Sequence, residues 1–203
     1  FEELKNKKDI KVIIIDPIRS DTAQYFDKAQ WIAPVPNTDT AMMLGMMHYL
    51  YESGKYDKNF IETYTSGFDK FLPYLLGKTD GTPKNLEWAS KICGLKASLI
   101  KELADTFVAN RTMIMSGWGM QRAHHGEQPH WAMVTLAAML GQIGLPGGGF
   151  GLSYHYSNGG APTCKGAVIC GVNSASVGKF NDEGEFIGTD SGEFDANGRF
   201  VAK

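Results

Sequence analysis

The residues best suited to chemistry lie between Ser116 and Gly151, in SGWGMQRAHHGEQPHWAMVTLAAMLGQIGLPGGGFG. Gly117 and Gly119 let the backbone approach a ligand closely, and Trp118 offers a stacking face. Gln121 and Arg122 can hydrogen-bond phosphate or ribose oxygens. A nucleotide-like ligand fits this set. A second group is Asp16 with Arg19: a carboxylate can accept two ribose hydroxyls, and a guanidinium can hold a phosphate. A turn-capping Asp16 and a solvated Arg19 account for the same residues. Asp39, in Pro36-Asn37-Thr38-Asp39, can either accept both N–H donors of a guanine edge or cap a helix.

His124, His125 and His130 invite a metal reading, but their spacing is not the helical i,i+4 pair with a catalytic Glu, and Glu127 falls out of register. The remaining readings are cofactor neighbours and plain structural histidines. Cys93, Cys164 and Cys170 show no CxxC spacing, which argues against an iron–sulfur or zinc cage. Gly147 to Gly149 matches neither GxxxxGK[ST] nor a GxGxxG after a strand, so it is expected to be a close-approach packing loop. Asp195-Ala-Asn-Gly198 is part of a calcium-loop pattern without the closing Glu and reads as a hairpin turn.

The elements that must position these groups follow from the chain. Lys11 to Ile15, KVIII, reads as a central parallel strand buried on both faces and stopped at Asp16-Pro17. A short helix is expected over Thr22 to Lys28, capped by Ser20 or Asp21, then an extended piece at Trp31 and Ile32. Thr38 or Asp39 should cap a helix that ends near Gly54, with the run of methionines as core. Asp57 to Asn110 reads as scaffold helices, in which Ile100, Leu103, Ala104 and Phe107 form an apolar face and Lys101 pairs with Asp105. Arg111 to Met115 is the next strand and Pro129 to Leu140 a buried helix. In open α/β sheets ligands sit at the carboxyl ends of strands, where Asp16 and Ser116 to Trp118 fall. The expected fold class is α/β, a Rossmann-like parallel sheet covered by helices over residues 1–152. An irregular glycine-rich extension with short β-hairpins occupies 153–203.

The 203 residues carry a net charge of -2, are 43% hydrophobic and 21% charged, and fit a globular profile without a basic field for nucleic acid. No apolar run approaches the roughly 20 residues needed to span a bilayer, so no membrane insertion is expected. FEELKNKKDI lacks a signal peptide's apolar core and the chain starts without Met, which suggests a segment of a longer protein.

At IDPIRSDTAQYF, PNTDTAMMLGMMHYL, EWASKICG and SGWGMQRAHHGEQPHWAMVTLAAMLGQIGLPGGGFGLSYHYSNGG the chain resembles the trimethylamine N-oxide and dimethyl sulfoxide reductases. These are molybdenum enzymes that use a bis(molybdopterin guanine dinucleotide) cofactor. The resemblance covers nearly all of Phe1 to Pro162 and fades after Cys164. It implies a large periplasmic reductase in several domains, of which this segment is most of one incomplete α/β domain. Asp16 and Asp39 would contact a guanosine portion. Trp118, Met120, Gln121 and Arg122, with His125, would reach toward the pterin and the substrate funnel. The implied reaction is oxygen-atom transfer from a small N-oxide or S-oxide, trimethylamine N-oxide first among them, with a c-type cytochrome as electron donor. The family's molybdenum-ligating serine belongs to a motif that no segment here matches, and Ser116 is not given that role. No catalytic residue or metal ligand is therefore assigned within the chain, and the isolated piece is expected to be inactive and without cofactor. Two other readings are a stand-alone nucleotide-binding module without catalysis and a metal hydrolase on His124, His125 and His130.

Overall fold

The computed structural model describes residues 2–152, 178–183, 186–189, 192–194 and 200–202. The chain divides into two compact units, Phe1–Leu152 and Ser153–Lys203.

The first unit begins with α1 (Glu2–Asn6), followed by β1 (Ile13–Ile15), α2 (Asp21–Tyr25) and β2 (Gln30–Ile32). β1 and β2 are parallel, with Ile14 opposite Trp31, so these elements form a miniature strand–helix–strand unit. The long helix α3 (Asp39–Glu52) is the hub of the core. Ala41 through Met47 and Leu50 are all buried, because α6 (Leu86–Cys93), α7 (Ala97–Ala109) and α8 (Glu127–Met139) pack around it. A helix apolar on every side is buried on every side.

Between these lie α4 (Lys58–Tyr64) and α5 (Phe68–Leu75). Local chemistry sets their bounds. Asp57 caps α4 by accepting from Phe60 N at 2.8 Å, and Asn85 caps α6 by accepting from Trp88 N at 2.9 Å. On α7, the expected face of Ile100, Leu103, Ala104 and Phe107 is buried, and Lys101 reaches Asp105 at 2.9 Å.

The second parallel pair is β3 (Met113–Ser116) with β4 (Gly149–Leu152), joined through α8. Here the structure departs from the sequence reading. Gly149 opens a strand, where a packing loop was expected through the triple glycine. β1 is half-buried instead of buried on both faces, with Ile13 and Ile15 against the core. β3 alternates: Ile114 packs on the core while Met113 and Met115 are exposed. The two parallel pairs do not join into one sheet among the described residues, so neither forms the interior of a larger helix-covered sheet there. The helix expected over Thr22 to Lys28 ends at Tyr25, and Phe26 N bonds back to Thr22 O.

In the second unit, β5 (Gly178–Phe180), β6 (Phe186–Thr189), β7 (Gly192–Phe194) and β8 (Phe200–Ala202) form an antiparallel sheet in that order. The strands expected at Glu185–Ile187 and Arg199–Val201 correspond to β6 and β8. In the turn after β5, Glu183 N donates to Asn181 Oδ1 at 3.1 Å. Cys164, Cys170 and the Asp195-Ala-Asn-Gly198 turn lie outside the described residues. No helix among the described residues is long and apolar enough to cross a membrane.

Candidate functional site

The candidate residues stand at the carboxyl ends of the two parallel pairs, where open α/β architectures present ligand-binding groups. At the end of β1, Asp16 N donates to Ile32 O at 3.0 Å and carries the pairing one step further. Its carboxylate accepts from Ile18 N at 2.9 Å through Oδ1, which closes the turn at Pro17. Trp31 Nε1 donates to Asp16 O at 3.0 Å, so the turn is fixed from both sides. Arg19 follows it with an exposed side chain, and its carbonyl accepts from Gln24 Nε2.

The end of β2 leads to Asp39 through Asn37, whose φ of 62° places it in the left-handed region. Thr38 is the N-cap residue of α3, yet its hydroxyl donates backward to Val35 O at 2.5 Å and makes no capping bond. Asp39 is the half-buried first residue of the helix. Burial, the largest effect, pushes its carboxyl above the usual carboxylate range; the hydrogen bond from its own backbone N–H opposes this, and the negative charge of Asp16 adds to it. Asp16 and Asp39 are therefore near enough for their charges to interact.

At the end of β3 the chain forms a tight turn in which Gln121 N and Arg122 N both donate to Trp118 O, at 3.0 and 2.9 Å. This folds Arg122 back so that its guanidinium stands 4.4 Å from the centre of the Trp118 ring. The pair presents a flat cationic face. Gly126 closes the turn: a Cβ there would lie 1.8 Å from Gln121 O, so no side chain fits. Met120 is half-buried and Gln121 exposed. His125 has a φ of 57° and its Nδ1 is 3.6 Å from Glu127 Oε1, with both side chains exposed. The rings of His124 and His125 are 3.9 Å apart. Among the described residues, no three of His, Cys, Asp or Glu are grouped to hold a metal ion.

Two polar atoms flanking this turn are buried without a hydrogen-bond partner among the described residues: Ser116 Oγ at its entrance and His130 Nε2 in the first turn of α8. A cavity of about 680 Å³ lies at the opposite, amino-terminal ends of β1 and β2, beside Lys5, Lys8, Lys11 and Lys28, away from all of these groups.

Several residues that sequence reasoning passed over hold the site's frame. Gln142 accepts from Thr112 N at 2.7 Å and donates to Asn110 O at 2.9 Å, which ties the end of α8's loop to the start of β3. Arg111 donates to Pro146 O at 3.1 Å across the glycine loop. Gly148, by contrast, was read from the sequence as part of a close-approach loop, and a Cβ on it would come 2.9 Å from both Arg111 Cδ and Gln142 O. The one available signal for Gln142 was a polar residue inside an otherwise apolar LGQIGLP run.

Two short parallel strand pairs packed with helices, with polar groups at their carboxyl ends, place the chain in a mixed helix and parallel-strand class. Comparison with known proteins narrows this class. Residues 2–192 match the family model described as molybdopterin oxidoreductase, and the chain belongs to that family. It is 60% identical over 177 residues to the dimethyl sulfoxide/trimethylamine N-oxide reductase of Rhodobacter capsulatus, covering 87% of this chain and 21% of that protein. It is 59% identical over 169 residues to the trimethylamine-N-oxide reductase of Haemophilus influenzae, covering 83% of this chain and 20% of that protein. Among solved structures it is similar to acetylene hydratase from Pelobacter acetylenicus, with a TM-score of 0.54 and 25% identity over 66% of this chain and 18% of that one. The chain thus spans about a fifth of the length of the curated relatives it matches.

Membership in this family implies a molybdenum–pterin cofactor. The residues present fit such a group. Ser116 Oγ and His130 Nε2 are buried polar atoms that the described chain leaves unsatisfied, and they bracket a turn carrying a stacked Trp118–Arg122 pair. An anionic, hydrogen-bonding heterocycle matches that chemistry.

Proposed function

We propose that this chain is a cofactor-binding segment of a molybdenum reductase that removes an oxygen atom from an N-oxide or S-oxide, with trimethylamine N-oxide as the leading substrate. The observation that carries the reading is the extent of likeness: about 60% identity to such reductases over most of the chain, with the family model matching residues 2–192. On this reading residues 1–152 form a molybdopterin-guanine-dinucleotide-binding domain with a Rossmann-like sheet completed by further parts of the parent protein, and 153–203 form a glycine-rich extension. The cofactor is the bis(guanine dinucleotide) form; when bound, it supplies the two-electron oxygen-transfer chemistry.

The chain's own residues bind and orient. Asp16 and Asp39 offer carboxylate oxygens to the ribose and guanine donors of a guanosine, and Arg19 offers a guanidinium to phosphate. Trp118 and Arg122 present a stacking and cationic face to the pterin, with Met120, Gln121 and His125 around it. Arg122, kept over the indole ring, is held ready for anionic groups without reorganisation. The protein is periplasmic and receives electrons from a c-type cytochrome.

The test uses the full-length protein. Asp39→Ala and Arg122→Ala are each expected to lower molybdenum content or N-oxide turnover by tenfold or more, the order seen when groups that orient a metal cofactor are removed. Wild-type molybdenum content together with wild-type kinetics in both variants would remove these assignments.

A further inference from the structure

Three histidines cluster in the turn that follows β3 and enters α8, and the structure separates them sharply. His124 and His125 are exposed, with their rings against each other and His125 beside Glu127. His130 is different: its Nε2 is buried and has no hydrogen-bond partner among the described residues. Ser116 Oγ, at the end of the strand on which α8 packs, is in the same condition. Buried side-chain nitrogens and hydroxyls in folded proteins are nearly always satisfied, so an unsatisfied one calls for a partner that the described residues do not supply. Neither atom gains anything from isolation. An apolar residue of similar volume at either position would remove the desolvation cost without leaving a gap.

We propose that His130 is a further histidine of this segment that hydrogen-bonds the cofactor, and that Ser116 acts beside it. This rests on the cofactor-binding reading above. The partner chemistry is a polar edge of the pterin, which carries both donors and acceptors and can meet either tautomer of the imidazole as well as a hydroxyl. His130 is a binding residue. It stands in the first turn of α8, directly after the Trp118 to Gly126 turn, so a bond at its Nε2 also fixes the turn's exit.

The experiment compares full-length protein with its cofactor and the same protein made in a host unable to synthesise it. The variants are His130→Phe, which keeps the ring volume without nitrogens, His130→Gln, which returns a donor, and Ser116→Ala. The readouts are molybdenum per protein after dialysis and the melting temperature of each form. His130→Phe is expected to retain cofactor about tenfold less tightly, as loss of one buried hydrogen bond predicts. It should lower the melting temperature of the loaded form only and leave the cofactor-free form unchanged or more stable. His130→Gln should recover part of the loss, and Ser116→Ala should act in the same direction more weakly. An equal fall in both forms would mean that an ordered water or another part of the chain satisfies Nε2, and would overturn the proposal. So would unchanged retention in His130→Phe. A wild-type protein without molybdenum–pterin would overturn the proposed function itself, an outcome visible before any variant is made.

Discussion

Asp39 keeps a carboxylate where burial and the neighbouring Asp16 both oppose its charge. Its proton is therefore held to higher pH in the folded chain than in the unfolded one, where the ordinary value is 3.8. Below that value both states are protonated and the residue costs nothing; above its folded-state pKa the full penalty applies. Asp39→Asn should thus raise the melting temperature of the cofactor-free chain at pH 7, and the gain should vanish as pH falls below about 3.8. Asp105 supplies the opposite sign for comparison. Hydrogen bonds from Lys55 and Lys101 hold its carboxyl far below the usual range, so its contribution is present above the unfolded value and lost as pH falls. Asp105→Asn should lower the melting temperature at pH 7, with the difference fading in acid. Melts from about pH 1.5 to pH 8 check both, and an Asp39→Asn variant less stable at neutral pH would contradict the account. Such a cost is what the binding role proposed for Asp39 would explain. This much of the site was partly legible: Asp39 stood out as a carboxylate at a helix start. The raised pKa was not, because it comes first from the burial of Asp39 and then from the charge of Asp16, both set by tertiary packing that the local sequence does not show. His130 was equally hidden. Its type gave no preference over His124 or His125, and the distinction lies in which ring nitrogen is buried.

At the scale of elements, the helices were legible and the strands only in part. α3 and α8 announce themselves through long runs rich in Ala, Met and Leu, and Asp57, Asn85 and Gly94 mark helix ends by chemistry local to the chain. β4 did not, since GFGL lacks the β-branched residues that signal a strand and owes its conformation to the partner β3. Gly45 in the middle of α3 was also silent. A Cβ there would sit 2.5 Å from Ala89 Cβ on α6, so this glycine sets how closely the two helices approach. Gly45→Ala brings two opposing effects: about 1 kcal/mol gained in helix propensity and roughly 1–3 kcal/mol lost to overpacking. Neither Cβ can rotate away, so the second should prevail and the variant should unfold at lower denaturant. Combining it with Ala89→Gly should destabilise by less than the sum of the single changes, a coupling that equilibrium unfolding of the four proteins measures. Simple additivity would mean that α3 and α6 are not in contact there.

For the molecule as a whole, the question is whether the visible groups make a site by themselves. The chain spans about a fifth of its relatives, and large apolar side chains stand open on the segments that carry the candidate residues: Ile18 beyond Asp16, Met115 next to Ser116 and Trp131 next to His130, exposed by 70%, 63% and 66%. Ligand pockets enclose most of a ligand's surface, whereas groups at two strand ends with uncovered flanks offer one wall. Ordering a free nucleotide on one wall must overcome its lost translational and rotational freedom with only a few of the final contacts. The isolated 203-residue chain, titrated calorimetrically with GMP and with GDP, is therefore expected to show no binding heat at concentrations of about 100 μM. A dissociation constant near 1 μM, about 8 kcal/mol of affinity, would mean that the strand-end groups already form a complete pocket. It would move the chain from a segment that works only within its parent to a stand-alone nucleotide-binding module.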